Sequence, residues 1–201
     1  MKSLGISIYP DVASVEDIYA YMEKASKANF KRVFSSMFSV NDTNENVIKM
    51  FTEMSTKCHE CHMLMSVDVN PELFERLEVK PNDLSLFKQI GIDILRMDMS
   101  YGLDGDVEVI NNKEGIQIEF NASALKASYI KQLIEKGANK DNILVSHNFY
   151  PQPYTGMKWD KFLRVSKEFK EAGIRVGAFV SSHAQNTHGV WDSIYGLPSV
   201  E

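Results

Sequence analysis

Short apolar segments and amphipathic segments take turns along this chain, and few folds accommodate that rhythm. The apolar segments, at 4–10, 32–38, 62–68, 93–99, 115–121, 142–150 and 174–182, are rich in Ile, Val, Leu, Met and Phe and have the length of buried strands. Between them run helical patterns with recognisable starts: Ser14 before VEDIYAYMEKASKA, Asn41 or Thr43 before ENVIKMFTEMSTKC, and Ser123 before ALKASYIKQLIEKG. Ser14 and Asp17 have the spacing of a capping box. Gly137 and Gly173 fall where helices should stop. Segment 70–92 predicts a short helix after Pro71 and another from Asn82 or Asp83. Segment 101–114, YGLDGDVEVINNKE, is polar and turn-rich and predicts a short or partly irregular crossover.

Strand, helix and strand in succession build a parallel sheet, because parallel neighbours need a long crossover. About seven such units predict an α/β fold of the TIM-type (β/α)8 barrel, whose usual length is about 250 residues. With 201 residues, the expectation is an incomplete barrel over 1–201 that lacks the last strand and helices. An open sheet of this kind would leave an unpaired edge, through which self-association is possible.

Charge and motifs narrow the function. A net charge of −5 with acids and bases interspersed offers no basic stripe for a phosphate backbone, so no nucleic-acid partner is expected. No run of about 18 apolar residues occurs, and MKSLGISIYPDV reaches Pro10-Asp11 too soon for a secretion signal. No membrane association and a cytoplasmic location are therefore expected. Cys58-His59-Glu60-Cys61-His62 matches the C-x-x-C-H pattern of haem attachment, but the pair lies where a helix should end and a strand begin. Two reduced thiols, with no metal and no cofactor, are the expectation, since a structural zinc site needs four placed ligands. No Gly-rich phosphate loop, G-x-S-x-G elbow or H-E-x-x-H helix is present in the sequence.

Polar residues stand at the ends of the apolar segments: Asp11, Asp68, Asp98, Glu119 and Asn148. In parallel α/β enzymes the chemistry gathers at the carboxyl ends of strands. Alternation along each strand puts Arg96 with Asp98 on one face, and Gln117 with Glu119 and Asn121. By the same phase Ser66 goes with Asp68, Ser146 with Asn148 and Tyr150, and Ser7 with Tyr9 and Asp11. The opposite faces are apolar and suit packing beneath helices. Asp98 and Glu119 are thus a candidate catalytic carboxyl pair on adjacent strands about 4.8 Å apart. Glycosidases use carboxyl separations of about 5 to 9.5 Å. The same residues with Arg96 also fit an internal ion-pair network without chemistry, because buried charges persist only when paired. His147 alternates outward, yet lies at a strand end where twist can return it to the site. His183 and His188 fall in the loop after the seventh strand.

LGISIYPD at 4–11, VFSSMF at 33–38, RMDMSYG at 96–102, IEFNAS at 118–123 and SHNFYPQPYTG at 146–156 together resemble the amino-terminal barrel of the bacterial 6-phospho-N-acetylmuramidases, formerly an "outer surface protein" family. The resemblance spans essentially the whole chain. It implies a cytoplasmic glycosidase of peptidoglycan recycling that cleaves 6-phospho-N-acetylmuramic acid from N-acetylglucosamine. The substrate would be a small phosphorylated amino-sugar disaccharide, and no metal or organic cofactor is implied. It also implies a carboxy-terminal β-domain that 1–201 lacks. It supports a site around Asp98, Glu119 and the His147-Asn148 strand end; the strand-end pattern itself adds Asp11, Asp68, Arg96 and Asn121 as further substrate-binding candidates. Two other readings stay open from the residues. A barrel lyase or isomerase would need an inward Lys or a metal cluster at the strand ends, and no such Lys is evident. A non-catalytic phospho-sugar-binding or inactive barrel would need neither.

Overall fold

The computed structural model describes residues 4–97, 99–121, 127–149 and 159–180, with the side chains of 121, 147–149, 159–163, 165 and 177–180 outside that description. Seven parallel strands lie in sequence order: β1 (Gly5–Ser7), β2 (Arg32–Ser36), β3 (Leu64–Val69), β4 (Ile94–Met97), β5 (Gln117–Asn121), β6 (Ile143–Phe149) and β7 (Arg175–Val180). Each strand pairs with its predecessor, so the chain winds in one direction as in a (β/α)8 barrel. Among the described residues β1 and β7 each have one neighbour, so the described strands form an incomplete barrel, as expected.

The helices that cross between strands are α1 (Val15–Lys27), α2 (Asn44–Glu60), α3 (Pro71–Arg76), α4 (Ser85–Ile90), α5 (Gly102–Ile110), α6 (Ala127–Glu135) and α7 (Trp159–Glu171). Ser14 caps α1 by accepting from the Asp17 amide, while its hydroxyl donates to the Asp17 carboxylate at 2.8 Å. Thr43, rather than Asn41, caps α2 by accepting from the Asn46 amide. Ser123 lies outside the described residues. Gly137 and Gly173 follow α6 and α7 with φ of 99° and 77°, a left-handed turn that a side chain resists.

One segment is more regular than its composition predicts. Within 101–114 the chain forms α5, a nine-residue helix. Asp106 reaches back to accept from the Tyr101 amide at 2.8 Å, which replaces the missing cap, and Val109 and Ile110 bury completely.

The two faces of the sheet differ in kind. Val33, Met65, Val67, Leu95, Met97, Ile118, Phe120 and Val145 form one face and pack with Phe51, Phe74, Phe87 and Leu133 from the helices. These side chains are at most 2% exposed, so this shell is the hydrophobic core. Arg32, Phe34, Ser66, Asp68, Arg96, Glu119 and Ser146 hold the other phase. Side chains from β2 and β5 touch there, at 2.5 Å between Arg32 and Glu119. In a flat sheet these strands would stand about 14 Å apart. The sheet therefore curls, and its concave side is the polar one.

Candidate functional site

The concave face is organised by strand register. Asp68, Arg96 and Glu119 are direct partners on β3, β4 and β5, so period-two alternation delivers an anion, a cation and an anion to neighbouring positions. Arg96 Nη1 donates to Asp68 Oδ1 at 2.6 Å, and its Nε stands 3.6 Å from Glu119 Oε1. The same Nε lies 3.4 Å from Ser146 Oγ on β6. The guanidinium also lies over the Phe34 ring, 5.6 Å from its centroid, which adds a cation–π contact.

Arg32 completes the set. Located at the start of β2, it spans the curl to place Nη2 2.5 Å from Glu119 Oε2 and 2.7 Å from Ser66 Oγ. Two guanidiniums thus face two carboxylates. Glu119 and Arg96 are 2% and 4% exposed, a depth at which unpaired charge would cost several kcal/mol. Periodicity placed Asp68, Arg96 and Glu119 on one face correctly. Arg32 was missed, although its phase with Phe34 and Ser36 was the available signal.

The remaining candidates divide. Asp11 is exposed in the turn after β1 and takes no part in this network. Asp98 lies outside the described residues, as do the side chains of Asn121, His147 and Asn148. The backbone of Asn121 closes β5 beside Ser146, and His147 and Asn148 run in β6 opposite Ala178 and Phe179. His183 and His188 also lie outside the described residues.

At the carboxyl end of β4 a second polar cluster forms. Asp106 is fully buried and accepts from Ser100 Oγ at 2.6 Å, Tyr129 Oη at 2.7 Å and the Tyr101 amide at 2.8 Å. The Tyr129 hydroxyl is pushed up to about 12, chiefly by burial. It therefore stays protonated at neutral pH.

The C-x-x-C-H segment is the end of α2. Cys58 is completely buried, and burial, aided by Asp93 and Cys61, pushes its thiol up to about 12. Cys61 caps the helix, both cysteines are free, and His59 Nε2 lies 2.8 Å from Asp93 Oδ2 instead of facing a thiol. No three His, Cys, Asp or Glu side chains gather as metal ligands among the described residues.

Two solved structures are similar over most of this chain. One, an uncharacterised B. cereus protein, is 33% identical with a TM-score of 0.74, over 91% of this chain and 48% of that one. The other, a conserved Enterococcus faecalis protein of unknown function, is 23% identical with a TM-score of 0.73, over 87% and 47%. This chain spans about half the length of either. An enolase from Bradyrhizobium, 12% identical with a TM-score of 0.57 over 91% of this chain and 47% of that one, shares the fold alone. No curated protein matches the sequence. Residues 4–201 match the model of a family described as 6-phospho-N-acetylmuramidase, N-terminal, and the chain belongs to that family.

Proposed function

We propose that this chain carries the barrel of a glycoside hydrolase that cleaves 6-phospho-N-acetylmuramic acid from N-acetylglucosamine during peptidoglycan recycling in the cytoplasm. Membership of the family supports the substrate class. The observation that carries the site is the buried Asp68–Arg96–Glu119–Arg32 network on the concave face. Among the described residues no helix is long and apolar enough to cross a membrane.

Glycosidic cleavage asks for two carboxyl groups in different states. Both oxygens of Glu119 face guanidinium nitrogens, which hold its carboxyl group in place between two cations. Glu119 then serves as the fixed anion, and Asp98, two residues beyond Arg96, gives its proton to the leaving oxygen as the C1–O bond breaks. A water oxygen forms the new bond to C1, and its proton returns to Asp98 to restore the acid. The substrate's 2-acetamido group is a second source of nucleophile, its carbonyl oxygen attacking C1 while a carboxylate orients its N–H. Asp11, Asp68, Arg96, Asn121, His147 and Asn148 are proposed to line the substrate site. The 6-phosphate calls for Arg, Lys or backbone amides.

The depth of Glu119 favours one alternative. At 2% exposure, with both oxygens engaged, it also suits a keystone that holds β2, β4 and β5 in their curl without touching substrate. Incubation of the full-length protein with the phosphorylated disaccharide, followed by mass spectrometry, tests the proposal. The expected products are 6-phospho-N-acetylmuramic acid and N-acetylglucosamine, with the unphosphorylated disaccharide untouched. An intact phosphorylated disaccharide after incubation with folded protein would refute the substrate assignment.

A further inference from the structure

Asp106 is a buried carboxylate whose donors are all neutral: two hydroxyls and a backbone amide. A helix cap alone does not call for this arrangement. Exposed Ser14 and Thr43 cap α1 and α2 with single hydroxyls, at no cost in buried charge. Asp106 is also placed differently from those caps. Its partners Ser100 and Tyr101 belong to the loop that leaves β4, while Tyr129 belongs to α6, the helix that follows β5.

The loop is fixed from several directions. Ser100 Oγ also accepts from the Gly102 amide at 2.9 Å and lies 2.9 Å from Tyr129 Oη. The Tyr101 ring packs against Phe74 with centroids 5.2 Å apart. A Cβ at Gly105 would come within 2.6 Å of Tyr101 Cβ, so only glycine lets α5 close against this residue. Met99 alone separates Asp98 from the clamped Ser100.

From this geometry we infer that Asp106 is a positioning residue: it fixes Ser100 and Tyr101, the loop that follows Asp98 in sequence, and through Tyr129 it ties that loop to the crossover following Glu119. The inference rests on the proposed role of Asp98. Asp106→Asn keeps the shape but offers Ser100 and Tyr129 a poorer acceptor, and Tyr129→Phe removes one hydroxyl with less risk to folding.

Steady-state kinetics on a chromogenic 6-phospho-N-acetylmuramide, with full-length protein well below its melting temperature, provide the test. Asp106→Asn is expected to lower kcat by about 10- to 100-fold with KM within about twofold, the scale at which a misplaced group slows chemistry. Tyr129→Phe should move kcat in the same direction by less. In an Asp98→Asn background, Asp106→Asn should cause no further loss, because a positioning residue acts only through the group it positions. Equal losses in both backgrounds, or a rise in KM alone, would overturn the inference. Full activity of Asp98→Asn would overturn the role of Asp98 and this inference with it. Activity lost in Asp98→Asn but unchanged in Asp106→Asn would overturn this inference alone.

Discussion

The convex and concave faces of the same sheet are built from alternate residues of the same strands, yet they obey different rules. On the convex side Leu95, Met97, Ile118 and Phe120 bury against helices, and each is replaceable in principle by another apolar group of similar volume. On the concave side Arg96 and Glu119 are the intervening residues of those strands, and their value depends on partners from β2, β3 and β6. The convex face makes the fold, whereas the concave face spends stability on an arrangement of charge.

Paired substitutions one residue apart sharpen the contrast. Phe120→Ala should destabilise by about 3 to 5 kcal/mol through lost burial and a cavity, while turnover per folded molecule stays near normal. Glu119→Ala should cost about as much, because it strands Arg32 and weakens the setting of Arg96, but it should also abolish turnover. Chemical denaturation combined with rate measurements on the folded fraction separates the two. If Phe120→Ala lowers turnover as severely, the division between the faces fails. Arg32 is more exposed at 26% of its side chain, so Arg32→Gln should destabilise by a smaller amount, about 1 to 3 kcal/mol. An unchanged denaturation midpoint there would mean that the contact with Glu119 contributes little.

Two smaller effects should leave the concave face untouched. Ser14→Ala removes the α1 cap and should cost about 1 kcal/mol with no kinetic consequence, checked by a thermal melt beside the assay. Cys58, its thiol raised to about 12, should resist iodoacetamide at pH 8 in the native state and react on unfolding. Mass spectrometry showing fast native modification of Cys58 would contradict its burial.

Local pattern revealed as much as local pattern encodes. Apolar runs fixed seven strands to within a few residues, and Ser14, Thr43, Gly137 and Gly173 marked helix ends because caps and left-handed turns are decided by the residue itself. Alternation sorted Asp68, Arg96 and Glu119 onto one face because register partners on parallel strands follow from phase. The role of Arg32 was hidden, since its contact with Glu119 depends on the curl of the sheet, which no strand specifies alone. The helicity of α5 was hidden too. Its composition, with Gly102 and Gly105, argues for turns, and the Asp106 bonds that stabilise it involve Tyr129, distant in sequence. With two guanidiniums on the Glu119 carboxylate, Glu119→Gln is expected to lower stability as well as turnover.

Turnover of Glu119→Gln per folded molecule decides whether the charge of Glu119 serves chemistry. Hydrolysis of a chromogenic 6-phospho-N-acetylmuramide by the full-length protein would be compared with that of the variant, each corrected for its folded fraction. A fall of about 100-fold or more is predicted, the scale of a lost catalytic carboxylate. Turnover near that of the unsubstituted protein would rule out a catalytic role and leave Glu119 as a keystone of the curled sheet.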